Sequence, residues 1–288
     1  MLKTVWLTDK KDLSAGSAML VGGFDGFHLG HRQLLLRAKQ SGLPVGVMTI
    51  VGGKEKPLFT FEERETIFKK AGADFVFELL FSEIKDLSPQ EFLEILLFEF
   101  QVKLFVCGED FRFGKMASGT PKDLKGGNRV CVEVQKLVTV DGVKVSSHEI
   151  KNLLKQGDVE KANRLLEEPF FLTGEVVADR KIGRTIGFPT ANIEYPKEKF
   201  PLKQGVYETL VEVDGVFYKG ITNYGARPTF DNERVLTETY LDGFDGDLYG
   251  KKLTVALVRF LREIRKFDSA QDLKTQLQED IRRVRTND

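Results

Sequence analysis

Short apolar runs alternate with amphipathic segments along the first half of the chain. The apolar runs predict five strands, at 18–22, 45–51, 75–80, 104–108 and 129–134. The segments between them predict helices at 31–40, 61–70 and 89–100. Apolar strands that are separated by helices are typical of a parallel sheet covered on both faces. The first half is therefore predicted to be a doubly wound α/β domain, with its ligand at the carboxyl ends of the strands.

From residue 170 onward, the pattern changes to short strand-like runs separated by turns. These runs lie at 171–177, 205–213, 214–225, 235–241 and 251–260. The pair Asp214 and Gly215 is typical of a tight hairpin turn. The second half is therefore predicted to be an antiparallel barrel or sandwich. An amphipathic helix at 268–284 closes it, with four apolar residues on one face: Leu273, Leu277, Ile281 and Val284.

Residues 146–168 are predicted to be helical, with a break near Gly157, and to join the two halves. Because 288 residues exceed the roughly 100–200 of one typical domain, we predict two domains, 1–158 and 159–288. The 43 basic and 43 acidic residues balance without a polybasic segment, so no nucleic-acid partner is predicted. No run of about 18 apolar residues and no signal-peptide core occur, so we expect no membrane association and a cytoplasmic location.

The segment 22–31, GGFDGFHLGH, follows the first predicted strand and has the features of a phosphate-binding turn. Four glycines leave room for the backbone to approach phosphates: Gly22, Gly23, Gly26 and Gly30. The next helix would point free N–H groups at an anion, and His28 and His31 would share a face of a helical turn. Two of the three histidines lie here, which disfavours a glycine-rich turn with incidental histidines. No GxxxxGK[ST] motif occurs and no GxGxxG follows the first strand, which argues against a P-loop or a dinucleotide site.

This segment resembles the first motif of the bacterial bifunctional riboflavin kinase/FAD synthetases, which are HxGH nucleotidyltransferases. Residues 108–114, GEDFRFG, and 145–151, VSSHEIK, resemble the second and third motifs of that family. The resemblance implies that a Rossmann-like N-terminal nucleotidyltransferase domain transfers AMP from ATP to FMN and releases pyrophosphate. It implies catalytic roles for His28 and His31. It implies ATP contacts for nine further residues: Gly22, Gly23, Phe24, Asp25, Gly30, Asp110, Arg112, Ser146 and Ser147.

The third motif departs from the SSTxIR pattern that is usual in the family. His148 replaces the threonine, and Lys151 replaces the arginine, which keeps the charge but loses the bidentate fork. Glu149 adds negative charge near the proposed phosphate site, and Lys115–Ala117 lacks an arginine that the family often carries. These departures leave open a second interpretation, in which a riboflavin kinase carries a weak or degenerate adenylyltransferase domain.

The most specific stretch of the chain lies at 174–192 and resembles the riboflavin kinase signature GxVxxGxxxGRxLGFPTAN. Thr190 and Asn192 are two residues apart on an extended strand, so their side-chain oxygens can face one side. Such oxygens suit Mg²⁺ bridged to ATP phosphates, and we predict both residues as metal ligands. The resemblance implies a β-barrel and assigns ATP or flavin contacts to these two residues and five others: Gly183, Arg184, Gly187, Phe188 and Pro189.

The kinase reaction benefits from a base because its nucleophile is a neutral ribityl hydroxyl. Glu238, in LTETYLDGF, matches the catalytic glutamate of the family, although alone it would be read as an exposed strand carboxylate. Asn223 and Arg227, in NYGARPTF, are candidates for nucleotide or flavin contacts. Arg262 precedes the last helix and is either a residue on the flavin side or a solvated surface arginine.

Together, the motifs predict a bifunctional transferase of FAD biosynthesis. The C-terminal barrel would phosphorylate riboflavin to FMN with MgATP, and the N-terminal domain would convert FMN and ATP to FAD. The expected partners are the small molecules riboflavin, FMN and ATP, and the sequence leaves the oligomeric state open. A third interpretation, a non-catalytic flavin-binding protein, is disfavoured by five intact candidate residues: Glu238, Thr190, Asn192, His28 and His31.

Overall fold

The computed structural model describes residues 3–53, 55–125, 130–178, 187–226 and 235–286. The contacts within the chain divide it into two compact units. The first unit holds Met1–Glu149 and Leu165–Glu168, and the second holds Ile150–Arg164 and Pro169–Asp288. This division reflects contacts rather than function. The functional boundary between residues 158 and 159 therefore stays a prediction.

A six-stranded sheet forms the centre of the first unit. Its strands are β1 Lys3–Trp6, β2 Ser17–Leu20, β3 Val45–Val51, β4 Phe75–Leu80, β5 Val102–Gly108 and β6 Cys131–Gln135. They lie in the order β1-β4-β3-β2-β5-β6. Strand β1 runs antiparallel to β4, and all other neighbours are parallel. The predicted parallel sheet is confirmed, and the antiparallel edge strand β1 is an element that the sequence analysis missed.

The strand order of this sheet changes direction at β2. Chain order runs outward from β2 to β3 and β4 on one side, and through β5 and β6 on the other. In doubly wound sheets, a crevice opens at such a switch point, at the carboxyl ends of the strands. The segment 22–31 follows β2, and the segment 108–114 begins at the end of β5. The topology therefore brings the first two sequence motifs to one crevice.

Four helices cover this sheet: α1 Leu29–Lys39, α2 Phe61–Ala71, α3 Phe81–Ile84 and α4 Pro89–Phe100. Helices α2 and α4 begin with capping boxes, in which Thr60 and Ser88 exchange hydrogen bonds with the third residue of their helix. The apolar face of α4 buries Phe92 and Leu96 in a core that includes Phe77 of β4. These caps and contacts fix the loops that leave the sheet.

The first unit continues with short elements, and two helices follow that are divided between the units. The short elements are 3₁₀ turns at Lys115–Ala117 and Asp123–Lys125 and a hairpin of β7 Thr139–Val140 and β8 Val143–Lys144. The helices are α5 Ser147–Gln156 and α6 Val159–Leu165. Gly157 lies between them with φ +86°, which confirms the predicted break. In the described part of the chain, no helix combines the length and apolar character needed to cross a membrane.

The second unit is a closed antiparallel barrel with a helix against its outer surface. Its strands are β9 Phe171–Val177, β10 Thr190–Glu194, β11 Gly205–Val213, β12 Val216–Ala226, β13 Val235–Leu241 and β14 Lys252–Arg262, and they close in the order β10-β13-β12-β11-β14-β9. Helix α7, Ala270–Thr286, packs Ile281 and Val284 against Phe188, Val206 and Ile221. Of the two predicted alternatives, a barrel and a sandwich, the barrel is confirmed, together with its closing helix.

Candidate active sites

A cleft of about 380 Å³ lies in the first unit beside β2 and β5. Its walls include the turn after β2, the start of α1 and the turn after β5. Nine residues that the sequence analysis selected line it: Gly22, Gly23, Phe24, His28, Gly30, His31, Asp110, Arg112 and Ser146. Residues from three separate motifs therefore meet in one cavity.

The two histidines form a stacked pair at the N-terminus of α1. His28 is the N-cap, and its Nδ1 accepts a hydrogen bond from the backbone N–H of His31 at 3.2 Å. The ring centroids lie 3.5 Å apart with an angle of 17° between the planes. Gly30 makes room for this arrangement, since a Cβ there would lie 3.0 Å from Cε1 of His28.

Backbone contacts determine the tautomers of both neutral imidazoles. Because Nδ1 of His28 accepts a hydrogen bond, its proton resides on Nε2. Nδ1 of His31 lies 3.1 Å from the carbonyl oxygen of Gly26, which can only accept, so this Nδ1 carries the proton. Burial lowers the pKa of His28 to about 4, and burial together with His28 lowers the pKa of His31 well below its ordinary value. Both rings are therefore neutral at pH 7, and His28 presents an N–H donor.

Two serines connect the third motif to this cleft. Ser147 donates a hydrogen bond from Oγ to Oδ1 of Asp25. Ser146 lines the cleft, and its Oγ accepts a hydrogen bond from the backbone N–H of Glu149 at 3.2 Å, which caps α5. Asp25 and Ser147 are thus placed behind the cleft wall rather than on it, and they join the turn after β2 to the start of α5.

The second motif contributes one acidic and one basic side chain. Asp110 accepts a hydrogen bond from Nζ of Lys144 at 2.9 Å. Arg112 donates to the backbone oxygens of Phe111 at 2.7 Å and Glu109 at 3.4 Å. Both side chains line the cleft, and Arg112 adds a guanidinium to its wall.

The sequence departures of the third motif do not line the cleft. Lys151 is 7% exposed, belongs to the second unit, and places Nζ 5.5 Å from the ring centroid of Phe200. His148 is exposed on α5, and Glu149 follows it in the same helical turn. Neither is among the residues that form the cavity wall.

In the second unit, strand pairing places the candidate residues in one row. Asn192 of β10 pairs with Glu238 of β13, and Glu238 pairs with Asn223 of β12. Asn223 pairs with Val206 of β11, and Val206 pairs with Arg262 of β14. Directly opposed residues on neighbouring strands share a face. Glu238 and Arg262 lie on the first and last of four neighbouring strands, β13, β12, β11 and β14. Because neighbouring strands are about 4.8 Å apart, the two residues stand at opposite sides of one site.

Two cavities meet at Thr190. The first, of about 290 Å³, is lined by Thr190, Asn223, Glu238 and Arg262 together with the rings of Phe188, Tyr240 and Phe267. The second, of about 390 Å³, is lined by Thr190 and Pro189 together with Asp245 and Asp247. The first cavity is mostly apolar and aromatic, and it includes three polar residues of the row of paired strands: Asn223, Glu238 and Arg262. The second cavity is more polar. The geometry suits two substrates that react beside Thr190.

The side chains around Thr190 also fit a magnesium ion. Asn192 is 6% exposed, and its Oδ1 is buried with no hydrogen-bond partner among the residues that the structure describes. A buried carbonyl oxygen without a partner is costly unless something binds it, and a hard cation is a suitable ligand. Among the described residues, no three His, Cys, Asp or Glu side chains lie together as a metal site. An ion here would therefore depend on substrate oxygens as well as Thr190 and Asn192.

Arg262 is held by a carboxylate that the sequence analysis did not select. Its Nε and Nη2 lie 2.9 and 2.8 Å from Oδ2 of Asp280, which is fully buried. Gln276 donates to Oδ1 of the same carboxylate at 2.7 Å, and Arg265 donates to Gln276. Asp280 lies three residues after Leu277 and four before Val284, so its spacing on the apolar face of α7 was the available signal.

Three of the remaining predicted residues lie in the described part of the chain. Gly187 is exposed with φ +84°, and Phe188 and Pro189 line the first and the second cavity respectively. Gly183, Arg184 and Arg227 lie outside the described residues. Their assigned roles therefore stay predictions from the sequence.

Comparisons with known proteins match both units. A family model described as FAD synthetase matches residues 10–149, and one described as riboflavin kinase matches residues 166–287. The bifunctional riboflavin kinase/FMN adenylyltransferase of Bacillus subtilis is 34% identical over 97% of this chain and 96% of its own length. The protein of the same name from Pseudomonas fluorescens is 34% identical over 94% of this chain and 92% of its own.

A solved structure matches the whole chain as well. It is described as a macrolide-efflux protein from Streptococcus pneumoniae, and it superposes with a TM-score of 0.86 and 30% identity, covering 98% of each chain. Efflux is the description of that protein alone, whereas both family models and both curated relatives are named for flavin enzymes. On near-full-length identity and on both matched models, this chain belongs to the family of bifunctional riboflavin kinase/FMN adenylyltransferases.

Proposed function

We propose that the chain makes FAD from riboflavin in two steps, one in each compact unit. The second unit phosphorylates riboflavin with MgATP, and the first transfers AMP from ATP to the resulting FMN and releases pyrophosphate. By residue number, we assign adenylyl transfer to residues 1–158 and phosphoryl transfer to residues 159–288. The observation that carries it is that each unit holds its own cleft, lined by residues of its own motifs.

Adenylyl transfer in the first cleft needs alignment and charge stabilisation rather than a base. The attacking phosphate oxygen of FMN is already anionic, and it displaces pyrophosphate from the α-phosphorus of ATP. Free N–H groups at the start of α1 offer donors for the phosphates. His28 adds its Nε2–H, and its stack on His31 holds the ring in place. Gly22 and Gly23 let the backbone approach the nucleotide.

Phosphoryl transfer in the second unit needs removal of a proton from the ribityl hydroxyl. Glu238 is the base that we assign to this step, because it lines the apolar cavity close to Thr190. Asn223 beside it can position the hydroxyl group or the flavin through its amide. Arg262 stands at the other side of the cavity and is fixed there by Asp280.

Thr190 and Asn192 are the residues that would hold Mg²⁺ together with ATP phosphates. Their oxygens are two residues apart on β10, and Oδ1 of Asn192 is buried beside Glu238 in the pairing register. When bound, the ion would neutralise phosphate charge during transfer. Thr190 lines both cavities, and Asn192 lies two residues further along the same strand, so the two residues would hold the ion near Thr190.

The shapes of the two cavities support an assignment of one substrate to each. The rings of Phe188, Tyr240 and Phe267 can enclose a flat isoalloxazine, so we place riboflavin in the cavity between the barrel and α7. The cavity beside Pro189 then receives ATP. Because both reactions consume ATP, we expect the protein to work in the cytoplasm.

A chromatographic time course with riboflavin and MgATP tests this proposal. FMN should rise first and then fall as FAD forms, with one ADP and one pyrophosphate released per FAD. FMN that accumulates without FAD or pyrophosphate would instead support the degenerate first domain. Bound flavin without ATP consumption would support a non-catalytic protein. The location of His148, Glu149 and Lys151 away from the cleft wall favours an active first site.

A further inference from the structure

A buried arginine lies behind the turn that forms the first cleft. Arg64 of α2 is 2% exposed and does not line the cavity. Its Nη1 lies 3.2 Å from the carbonyl oxygen of Phe24 and 2.5 Å from Oγ1 of Thr49. We infer that Arg64 is a positioning residue for adenylyl transfer, which holds the turn around Phe24 in its reactive geometry. This inference rests on the proposed location of that reaction in the first cleft.

Phe24 has a backbone conformation that its own chemistry disfavours. Its φ is +40°, in the left-handed region that residues with a Cβ rarely adopt. Such a conformation persists only where the surroundings fix it. The carbonyl oxygen of Phe24 accepts from Oγ1 of Thr49 at 3.2 Å as well as from Arg64, and the carbonyl oxygen of Asp25 accepts from the N–H of Phe59 at 3.1 Å. Arg64 and Thr49 thus hold one end of the strained peptide.

The position of Phe24 determines the position of the histidine pair. Its ring centroid lies 4.2 Å from that of His31, which stacks on His28. The same ring packs over Gly22, where a Cβ would come within 2.8 Å of it. A change in the Phe24 peptide would therefore move both the histidines and the backbone that faces the nucleotide.

Burying an arginine at this position costs desolvation energy that an apolar side chain of similar size would avoid. Its guanidinium is desolvated, and Nε has no hydrogen-bond partner among the described residues. Burial lowers its pKa, although Asp25, Glu78 and Glu63 favour the charged form. A buried ion pair can often be replaced by apolar side chains without loss of stability when both partners change, but an apolar side chain cannot donate to the Phe24 carbonyl and to Thr49. We connect these two hydrogen bonds of Arg64 to adenylyl transfer.

The test compares Arg64→Met, Arg64→Lys and Thr49→Val in the full chain, with Lys69→Met as a matched control. Lys69 is an exposed residue of the same helix. For each variant, kcat and KM for ATP are measured with FMN as substrate, and riboflavin phosphorylation is measured on the same preparation.

We expect Arg64→Met to lower kcat for FAD formation by about tenfold or more, since a small misplacement of reacting groups is enough for that. KM for ATP should change much less, and riboflavin phosphorylation should equal that of the control. Arg64→Lys should restore part of the lost kcat, and Thr49→Val should lower it by a smaller factor. In a double variant that combines Arg64→Met with Thr49→Val, the two losses of kcat should be less than multiplicative because both residues act on one carbonyl.

Equal kcat values for Arg64→Met and the control would overturn the inference. If Arg64→Met does not fold, normal kcat values for both Arg64→Lys and Thr49→Val would overturn it. His28→Ala separates this failure from failure of the proposed function. If His28→Ala loses FAD formation while the Arg64 and Thr49 variants keep a normal kcat, only the role of Arg64 is rejected. Normal FAD formation in His28→Ala rejects the cleft itself, and the inference with it.

Discussion

At the scale of single residues, burial determines the chemistry of the histidine pair. An exposed imidazole at this position would titrate near pH 6.5, whereas His28 has its pKa lowered to about 4 by burial. The sequence showed two histidines three residues apart in a glycine-rich turn, and it predicted a phosphate site from them. It could not show that His28 is the N-cap rather than a residue of the helix, because histidine is not among the usual caps.

This burial predicts a pH dependence of stability. Between pH 6.5 and about 4, the unfolded chain binds a proton at His28 that the folded chain does not, so the free energy of unfolding falls as pH falls through this window. The shift is equivalent to about 3 kcal/mol, and the lowered pKa of His31 acts in the same direction. The fluorescence of the single tryptophan, Trp6, can report unfolding of the first unit from pH 7 to 4.5.

The variant His28→Gln should weaken this pH dependence without abolishing it, because His31 remains. His148→Gln is the matched control, since His148 is exposed on α5. It should behave as the unsubstituted chain. Identical slopes for His28→Gln and the control would show that His28 is not buried in its neutral form.

The buried amide of Asn192 predicts a magnesium phenotype. Asn192→Ala removes Oδ1 from the row beside Glu238, so riboflavin phosphorylation should need about tenfold more Mg²⁺ for half-maximal rate, as expected for the loss of one ligand contact of ordinary strength. FAD formation from FMN should keep its magnesium dependence. Glu194→Gln, an exposed change on the same strand, is the control. An unchanged magnesium requirement in Asn192→Ala would remove this residue from the proposed ion site.

At the scale of elements, the pattern of apolar residues predicted most strands and helices, and their ends followed local chemistry. Helix α4 begins at Pro89 as predicted, because Ser88 caps it and proline suits the first position. Helix α1 begins two residues earlier than predicted, at Leu29. Strand β1 was missed because four residues at the edge of a sheet carry little periodic signal. The turn at Asp214 and Gly215 was predictable, and both residues have positive φ.

Periodicity places two charged residues on apolar helix faces, but it does not give their role. Arg64 and Asp280 occupy buried faces of α2 and α7, where a sequence pattern alone treats charge as an interruption. Their partners come from distant parts of the chain: the Phe24 carbonyl for Arg64, and the Arg262 guanidinium for Asp280. Only the tertiary structure brings these pairs together.

The contact of α7 with the barrel predicts a coupled loss of stability and flavin affinity. Asp280→Asn removes a buried carboxylate that binds Arg262 through two nitrogens. Because this leaves a buried guanidinium without its counter-charge, stability of the second unit should fall by about 3 kcal/mol or more. Arg262 lines the flavin cavity, so KM for riboflavin should also rise, whereas FAD formation from FMN should persist.

The exposed pair on the same helix provides the control. Glu279 and Arg283 lie 2.7 Å apart in an i,i+4 arrangement, and such a pair contributes about 1 kcal/mol at most. Glu279→Gln should therefore leave both the thermal unfolding of the second unit and KM for riboflavin nearly unchanged. If Asp280→Asn matches Glu279→Gln in both measurements, α7 does not position Arg262.

At the scale of the whole molecule, two units with separate clefts explain how one chain can carry two ATP-dependent reactions. The motif order along the sequence already indicated this division, since each signature lies within one half. The cavities themselves could not be predicted, because Thr190 becomes a shared wall only when β10 and the segment 244–249 meet in the barrel. We propose that the two reactions use different residues in different units.

The most direct measurement of this claim assays Glu238→Gln and His28→Ala with riboflavin and with FMN as separate substrates. Glu238→Gln should lose riboflavin phosphorylation by a factor of about 10² or more, as expected for removal of a general base, and should still convert FMN to FAD. His28→Ala should do the reverse, and a mixture of the two variants should make FAD from riboflavin through free FMN. Loss of both activities in either variant, with the protein still folded, would contradict the account.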